Sequence, residues 1–168
     1  MHVRKIYFDL DGVLADFDRG VRELCGLTPM EQSSMTSKQH DALWAEVKKV
    51  EHFYDRLEPM EGACELFREA YEKYGRRCEI LTGIPKPKRG IVTAGEDKIN
   101  WSHRVLAEDV VVNIVFRSQK IRFCRGRGCV LIDDLFSTVN DWRLRGGTGI
   151  YHKNAEDTRI QLVKAGIL

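Results

Sequence analysis

Lys5-Ile6-Tyr7-Phe8-Asp9-Leu10-Asp11-Gly12 is the stretch on which the reading of this chain turns. Ile6, Tyr7 and Phe8 form a short apolar run of β-branched and aromatic side chains, the signature of a buried strand. The run stops at an aspartate, continues to a second aspartate two residues on, and closes with a glycine. That pattern places two carboxylates in the turn at the carboxyl end of the first strand.

Working outward, four further segments carry the same short apolar signature: Cys78 to Leu81, Val110 to Phe116, Cys129 to Ile132, and Gly149 to Tyr151. Helical patterns lie between them. The clearest has Ala63, Leu66, Phe67, Ala70, Tyr71 and Tyr74 on one face and is stopped by Gly75. Others run from about Glu96 to Ala107, Ser137 to Leu144 and Ala155 to Ala165. Strands alternating with helices predict a three-layer, Rossmann-like α/β fold built on a parallel five-stranded sheet. Asp16 to Met60 breaks the rhythm, holding no good strand but helical stretches such as Lys38 to Val50. The expected organisation is therefore a core of residues 1–15 and 61–168 with a small helical cap, 16–60, inserted after the first strand.

The 168 residues suit such an organisation, and 43% hydrophobic with 31% charged residues excludes wholesale disorder. The longest unbroken apolar run is far shorter than the roughly 20 residues of a membrane helix. The N-terminus meets Asp9 before a secretory apolar region could be completed, so a cytoplasmic setting is expected. Five cysteines without a Cys-x-x-Cys pair fit neither a disulfide framework nor a zinc ribbon. A net charge of +2 gives no ground to expect a nucleic-acid partner.

Ligands of wound α/β sheets sit at the carboxyl ends of the strands. Here those ends read Asp9-Leu10-Asp11-Gly12, Thr82-Gly83 and Asp133-Asp134. Carboxylates gathered at one edge repel one another, and a divalent cation would relieve them. Oxygen-only ligands favour Mg²⁺. A calcium loop is excluded, because the twelfth position counted from Asp9 is Gly20 rather than a glutamate. One aspartate can serve as a nucleophile toward phosphorus and the next as its proton donor.

The strings Asp9 to Phe17, Ile80-Leu81-Thr82-Gly83 and Leu131-Ile132-Asp133-Asp134, with a lysine between the last two, resemble the haloacid dehalogenase (HAD) superfamily of phosphotransferases. Within it, Phe53 to Ala63 and Glu96-Asp97-Lys98 followed by Trp101 resemble the 5′(3′)-deoxyribonucleotidases. The resemblance implies Asp9 as nucleophile, Asp11 as general acid then base, Thr82 on the phosphoryl oxygens and Lys120 countering charge. It implies Mg²⁺ held by Asp9, the Asp11 carbonyl and Asp133, with Asp134 beside them. Lys120 is preferred over Lys98 because it follows the third strand, whereas Lys98 sits inside a helix.

The same resemblance gives further candidate substrate contacts: Lys86 matches a phosphate-contacting position, Arg117 lies one residue from another, Gly83 keeps a backbone donor where the family often has a small polar residue, Phe17 coincides with a base-stacking phenylalanine, and Trp44 matches a tryptophan of the cap. Leu43, Trp44 and Val47 also lie at helical core spacing, which favours packing as the role of Trp44. The family's aromatic pair in the cap is missing from the methionine-rich segment Gly26 to Met35. The expected activity is hydrolysis of small phosphate esters, foremost deoxyribonucleoside 5′-monophosphates, in a chain that the resemblance pairs as a homodimer. Two alternatives stay open: a sugar-phosphate phosphatase, or a nucleic-acid end-binding or 3′-end phosphatase module suggested by Arg117, Lys120, Arg122, Arg125 and Arg127.

Overall fold

The computed structural model describes residues 2–31 and 34–168, so Gln32 and Ser33 of the methionine-rich segment lie outside the described residues. Five strands, β1 (Lys5–Phe8), β2 (Cys78–Gly83), β3 (Val111–Val115), β4 (Cys129–Asp133) and β5 (Thr148–Tyr151), form one sheet in the order β3-β2-β1-β4-β5. Every neighbouring pair is parallel, with Phe8 opposite Ile80 on one side and Ile132 on the other. β1 is thus the central strand, which places the Asp9 turn mid-edge.

Side chains of a strand alternate between faces, and β1 shows it. Ile6 and Phe8 enter one core with Ile80, Val130 and Ile132. Tyr7 enters the other with Leu81, Cys129, Leu131 and Trp142. Helices α3 (Ala63–Tyr74), α4 (Ala94–Val105) and α6 (Ala155–Lys164) supply Phe67, Trp101 and Leu162 to the first core. The second is covered by α5 (Phe136–Leu144), through Trp142, and by the crossover from β3 to β4. That crossover is a 3₁₀ turn over Arg117–Phe123 rather than an α-helix. The expected three layers are therefore present. All five cysteines are free, with Cys78, Cys124 and Cys129 buried, and no helix among the described residues is long and apolar enough to cross a membrane.

The segment after the first turn contains α1 (Phe17–Cys25) and α2 (Ser37–Lys49). Asp16 caps α1 by accepting from the Arg19 amide at 2.9 Å. α2 begins with a capping box in which Thr36 and Gln39 exchange bonds. The two ends of the segment meet: the Asp16 amide donates to Glu58 O at 2.8 Å and the Met60 amide to Leu14 O at 2.8 Å. The returning chain is pinned to α4. Trp101 Nε1 donates to Leu57 O at 2.7 Å, Arg104 pairs with Asp55 at 2.8 Å, and buried Asp97 takes His52 Nδ1 at 2.8 Å. Trp101, a member of the first core, thus also holds this segment against the helix.

Candidate active site

The turn after β1 is tight because the amides of Val13, Leu14 and Ala15 converge on Leu10 O at 3.2, 2.8 and 2.9 Å. Gly12 makes it possible. Its φ is +77°, and a Cβ there would lie 2.2 Å from Asp134 Oδ2, so only glycine lets the turn close against the β4 edge. The turn leaves Asp9 buried, with its Oδ1 accepting the Leu10 amide at 2.8 Å. The Asp9 amide donates to Ile132 O at 2.9 Å, which registers it beside Asp133.

Lys120, from the 3₁₀ crossover, is buried and bridges Asp9 Oδ2 and Asp133 Oδ2, each at 2.7 Å. The second Asp133 oxygen accepts the Leu135 amide at 2.9 Å. Oxygens of Asp9, Asp133 and Asp134 all lie within 4.8 Å of one another.

Lys98 forms a second centre. It is fully buried, and its Nζ donates to Asp11 Oδ2 at 2.6 Å, Thr82 Oγ1 at 3.0 Å and Gly83 O at 2.6 Å. The same ammonium stands 4.5 Å over the ring of Tyr54, a buried residue of the returning segment. Asp11 Oδ1 is buried without a hydrogen-bond partner among the described residues. Lys98 lies inside α4, the position that disfavours it in the sequence, yet the structure brings it into the site beside Lys120. The helix turns this lysine inward, on the face shared by Ala94 and Trp101, both buried. That spacing of four and three residues was the signal available in the sequence. Tyr54 carried none.

Burial, then the charges of Asp9 and Asp133, push the Asp134 carboxyl up to about 8. Asp133 is pushed up to about 6 by burial and Asp9, against the pull of Lys120. Burial also raises Asp11, with Lys98 opposing it and Asp9 adding to it. Burial disfavours charge on Lys120, but Asp9 and Asp133 outweigh it and keep the ammonium protonated. Three crowded carboxylates, two of them struggling to ionise, form a hard all-oxygen donor set that fits a divalent cation.

The remaining expected contacts divide into two groups. Gly83 lies beside Arg117, whose backbone N would be 3.6 Å from an added Cβ. Lys86 and Arg117 are exposed at the ends of β2 and β3. Phe17 lies in an aromatic cluster, its ring 5.6 Å from Phe53, 6.3 Å from Tyr54 and 6.1 Å from Trp44. It also lines a cavity of about 170 Å³ between α1 and α2, with Val21, Leu27, Met30, Met35 and Leu43 among its walls. None of the carboxylates described above lines that cavity. Trp44 is half-buried against Phe17, in keeping with a packing role.

A parallel sheet in this order, with helices on both faces, is also the fold of solved HAD-superfamily hydrolases. A HAD-superfamily hydrolase from Ehrlichia chaffeensis superposes with a TM-score of 0.56 at 14% identity over 97% of each chain. A hydrolase from Streptococcus pneumoniae TIGR4 gives a TM-score of 0.52 at 14% identity, covering 97% of this chain and 100% of the other. A dehalogenase solved as an intermediate complex gives 0.55 at 14% identity, covering 91% and 87%. No family model matches the chain. No curated protein sequence matches it either.

Proposed function

We propose that this chain is a Mg²⁺-dependent phosphomonoesterase that works through an aspartyl-phosphate and accepts nucleoside monophosphates. The observation that carries the reading is the pairing of Asp9 with Lys120 beside Asp133 and Asp134, with Asp11 separately held by Lys98. Asp9, Asp133 and Asp134 would hold the cation, which supplies charge neutralisation for the phosphoryl oxygens.

An Asp9 carboxylate oxygen attacks phosphorus, and the bond to the ester oxygen breaks with its electron pair leaving on that oxygen. Asp11, whose pKa burial raises against the pull of Lys98 and with the help of Asp9, gives its proton to the leaving group. Water then attacks phosphorus while the Asp11 carboxylate takes its proton, and cleavage of the Asp9 oxygen–phosphorus bond restores Asp9 and releases phosphate. Thr82 Oγ1 and the two lysines face the oxygens on which charge develops. Lys98 can hold Asp11 in place through both protonation states, since it also bonds Thr82 and Gly83 O.

The nucleotide is favoured over a sugar phosphate by the apolar cavity beside Phe17, whose walls suit a base better than a polyol. Phosphate release from a panel of deoxyribo- and ribonucleotides and sugar phosphates, with and without Mg²⁺, tests both parts. Mononucleotide preference supports the reading. Sugar-phosphate preference removes the base site, and no turnover of any ester removes the phosphatase.

A further inference from the structure

The net charge of +2 averages over a divided surface. From Val110 to Ile132 the chain has no aspartate or glutamate and five basic residues. Lys120 turns inward to the site, whereas Arg117, Arg122, Arg125 and Arg127 are all exposed. Among the described residues, none of these four arginines forms an ion pair. The surface of α1, α2 and α6 differs: Arg19, Lys49 and Arg159 are matched there by Glu23, Glu46 and Glu69.

The arginines lie along a path. Arg117 adjoins Gly83, at the rim of the site. The chain then crosses the second face of the sheet, with Phe123 and Cys124 packed inward, and exposed Arg125 and Arg127 flank Gly126, whose φ of +80° opens the turn that leads into β4. At the far end Gly128 touches Arg4, another exposed arginine, and Gly126 approaches Gly146, next to exposed Arg145. Seven residues of 3₁₀ turn at about 2 Å each carry the row roughly 14 Å, from the carboxyl end of β3 toward the start of β4. The apolar side chains between them, Phe116, Ile121 and Phe123, are at least half-buried, which leaves no wedge for a membrane.

We infer that this arginine track binds the backbone of a single-stranded nucleic acid whose terminal phosphate enters the site. The inference builds on the phosphatase reading and deepens it: the mononucleotide becomes the last unit of a longer strand. A narrow row of unpaired cations leading to a monoester site fits a chain of phosphodiesters, and the apolar cavity beside Phe17 favours one that carries bases over inorganic polyphosphate.

The experiment uses a fluorescent fifteen-nucleotide oligothymidylate phosphorylated at the 3′ or the 5′ end. Binding is followed by anisotropy on the Asp9→Asn protein, and turnover on the wild type. Four phosphate contacts predict that affinity falls about 50-fold between 50 and 200 mM salt, a log–log slope of about −3. In Arg122→Gln/Arg125→Gln/Arg127→Gln the slope drops to about −0.7, turnover of the oligonucleotide at low salt falls at least tenfold, and turnover of p-nitrophenyl phosphate is unchanged. Binding that ignores salt, or a triple variant that binds and turns over the oligonucleotide like wild type, overturns the track. So does equal binding of polyphosphate or anionic vesicles, or removal of phosphate from mononucleotides but not from the bound strand. Salt-dependent binding lost in the triple variant, without hydrolysis of any ester, supports the track and overturns the phosphatase.

Discussion

Lys98 and Lys120 are the same residue type, equally buried, and both bonded to carboxylates at the edge of one sheet. Lys120 serves the Asp9 and Asp133 side, where the cation donors crowd. Lys98 serves Asp11 and Thr82, on the side joined to the segment after β1 through Tyr54. The first neutralises two buried carboxylates. The second grips one carboxylate that keeps 28% of its side-chain surface exposed. Burial thus marks both lysines, but the identity of their partners separates them: one neutralises two carboxylates, the other holds a carboxylate and a hydroxyl together.

Asp9→Asn should produce the largest effect, loss of phosphate release below detection with the fold retained, read by circular dichroism alongside the assay. Residual turnover near wild type would remove Asp9 from the chemistry and the comparison with it. Lys120→Met leaves two buried carboxylates unneutralised and should cost about 3–5 kcal/mol of stability in metal-free protein, read by urea denaturation. Lys98→Met should cost less stability but lower kcat about 10²–10⁴-fold, with a displaced pH optimum. Equal losses of stability and rate in the two variants would erase the distinction between the lysines.

Metal removal sharpens the Lys120 side. Raised carboxyl groups mean that the folded, metal-free protein holds more protons than the unfolded chain between about pH 4 and the pKa of about 8 at Asp134. Stability in a chelator should therefore fall as pH rises through that window, and Mg²⁺ should raise Tm more at pH 8 than at pH 5. A chelated protein whose Tm does not change with pH would contradict the crowding. The smallest effect is expected of Tyr54→Leu, which removes a desolvated cation–π contact worth about 2 kcal/mol. It should shift the pH profile of kcat without altering Mg²⁺ stabilisation, and Tyr54→Phe should restore it.

The sheet edge was legible in the sequence because carboxyl ends of parallel strands face one way, so Asp9, Asp11, Thr82, Asp133 and Asp134 could be placed from strand boundaries alone. Lys98 was not, since its placement depends on which helix face meets the sheet edge, and a lysine on an apolar stripe reads first as solvated. The β3 to β4 crossover was also missed as structure: Arg117 to Phe123 has neither helical periodicity nor alternation, and its form follows from Lys120 being drawn inward. Ties such as Trp101 to Leu57 O leave no periodic trace, because a side-chain donor meeting a distant backbone carbonyl imposes no spacing on either segment.

The meeting of the inserted segment's two ends, Asp16 with Glu58 and Leu14 with Met60, has a consequence for chain statistics. A loop stitched shut at its base pays closure entropy that grows only with the logarithm of its length, about 0.6 kcal/mol for each doubling. Lengthening or shortening the stretch between α1 and α2 would therefore tax the sheet very little, leaving that stretch free to diverge while Tyr54 and Leu57, held against α4, and the acidic edge beneath stay put.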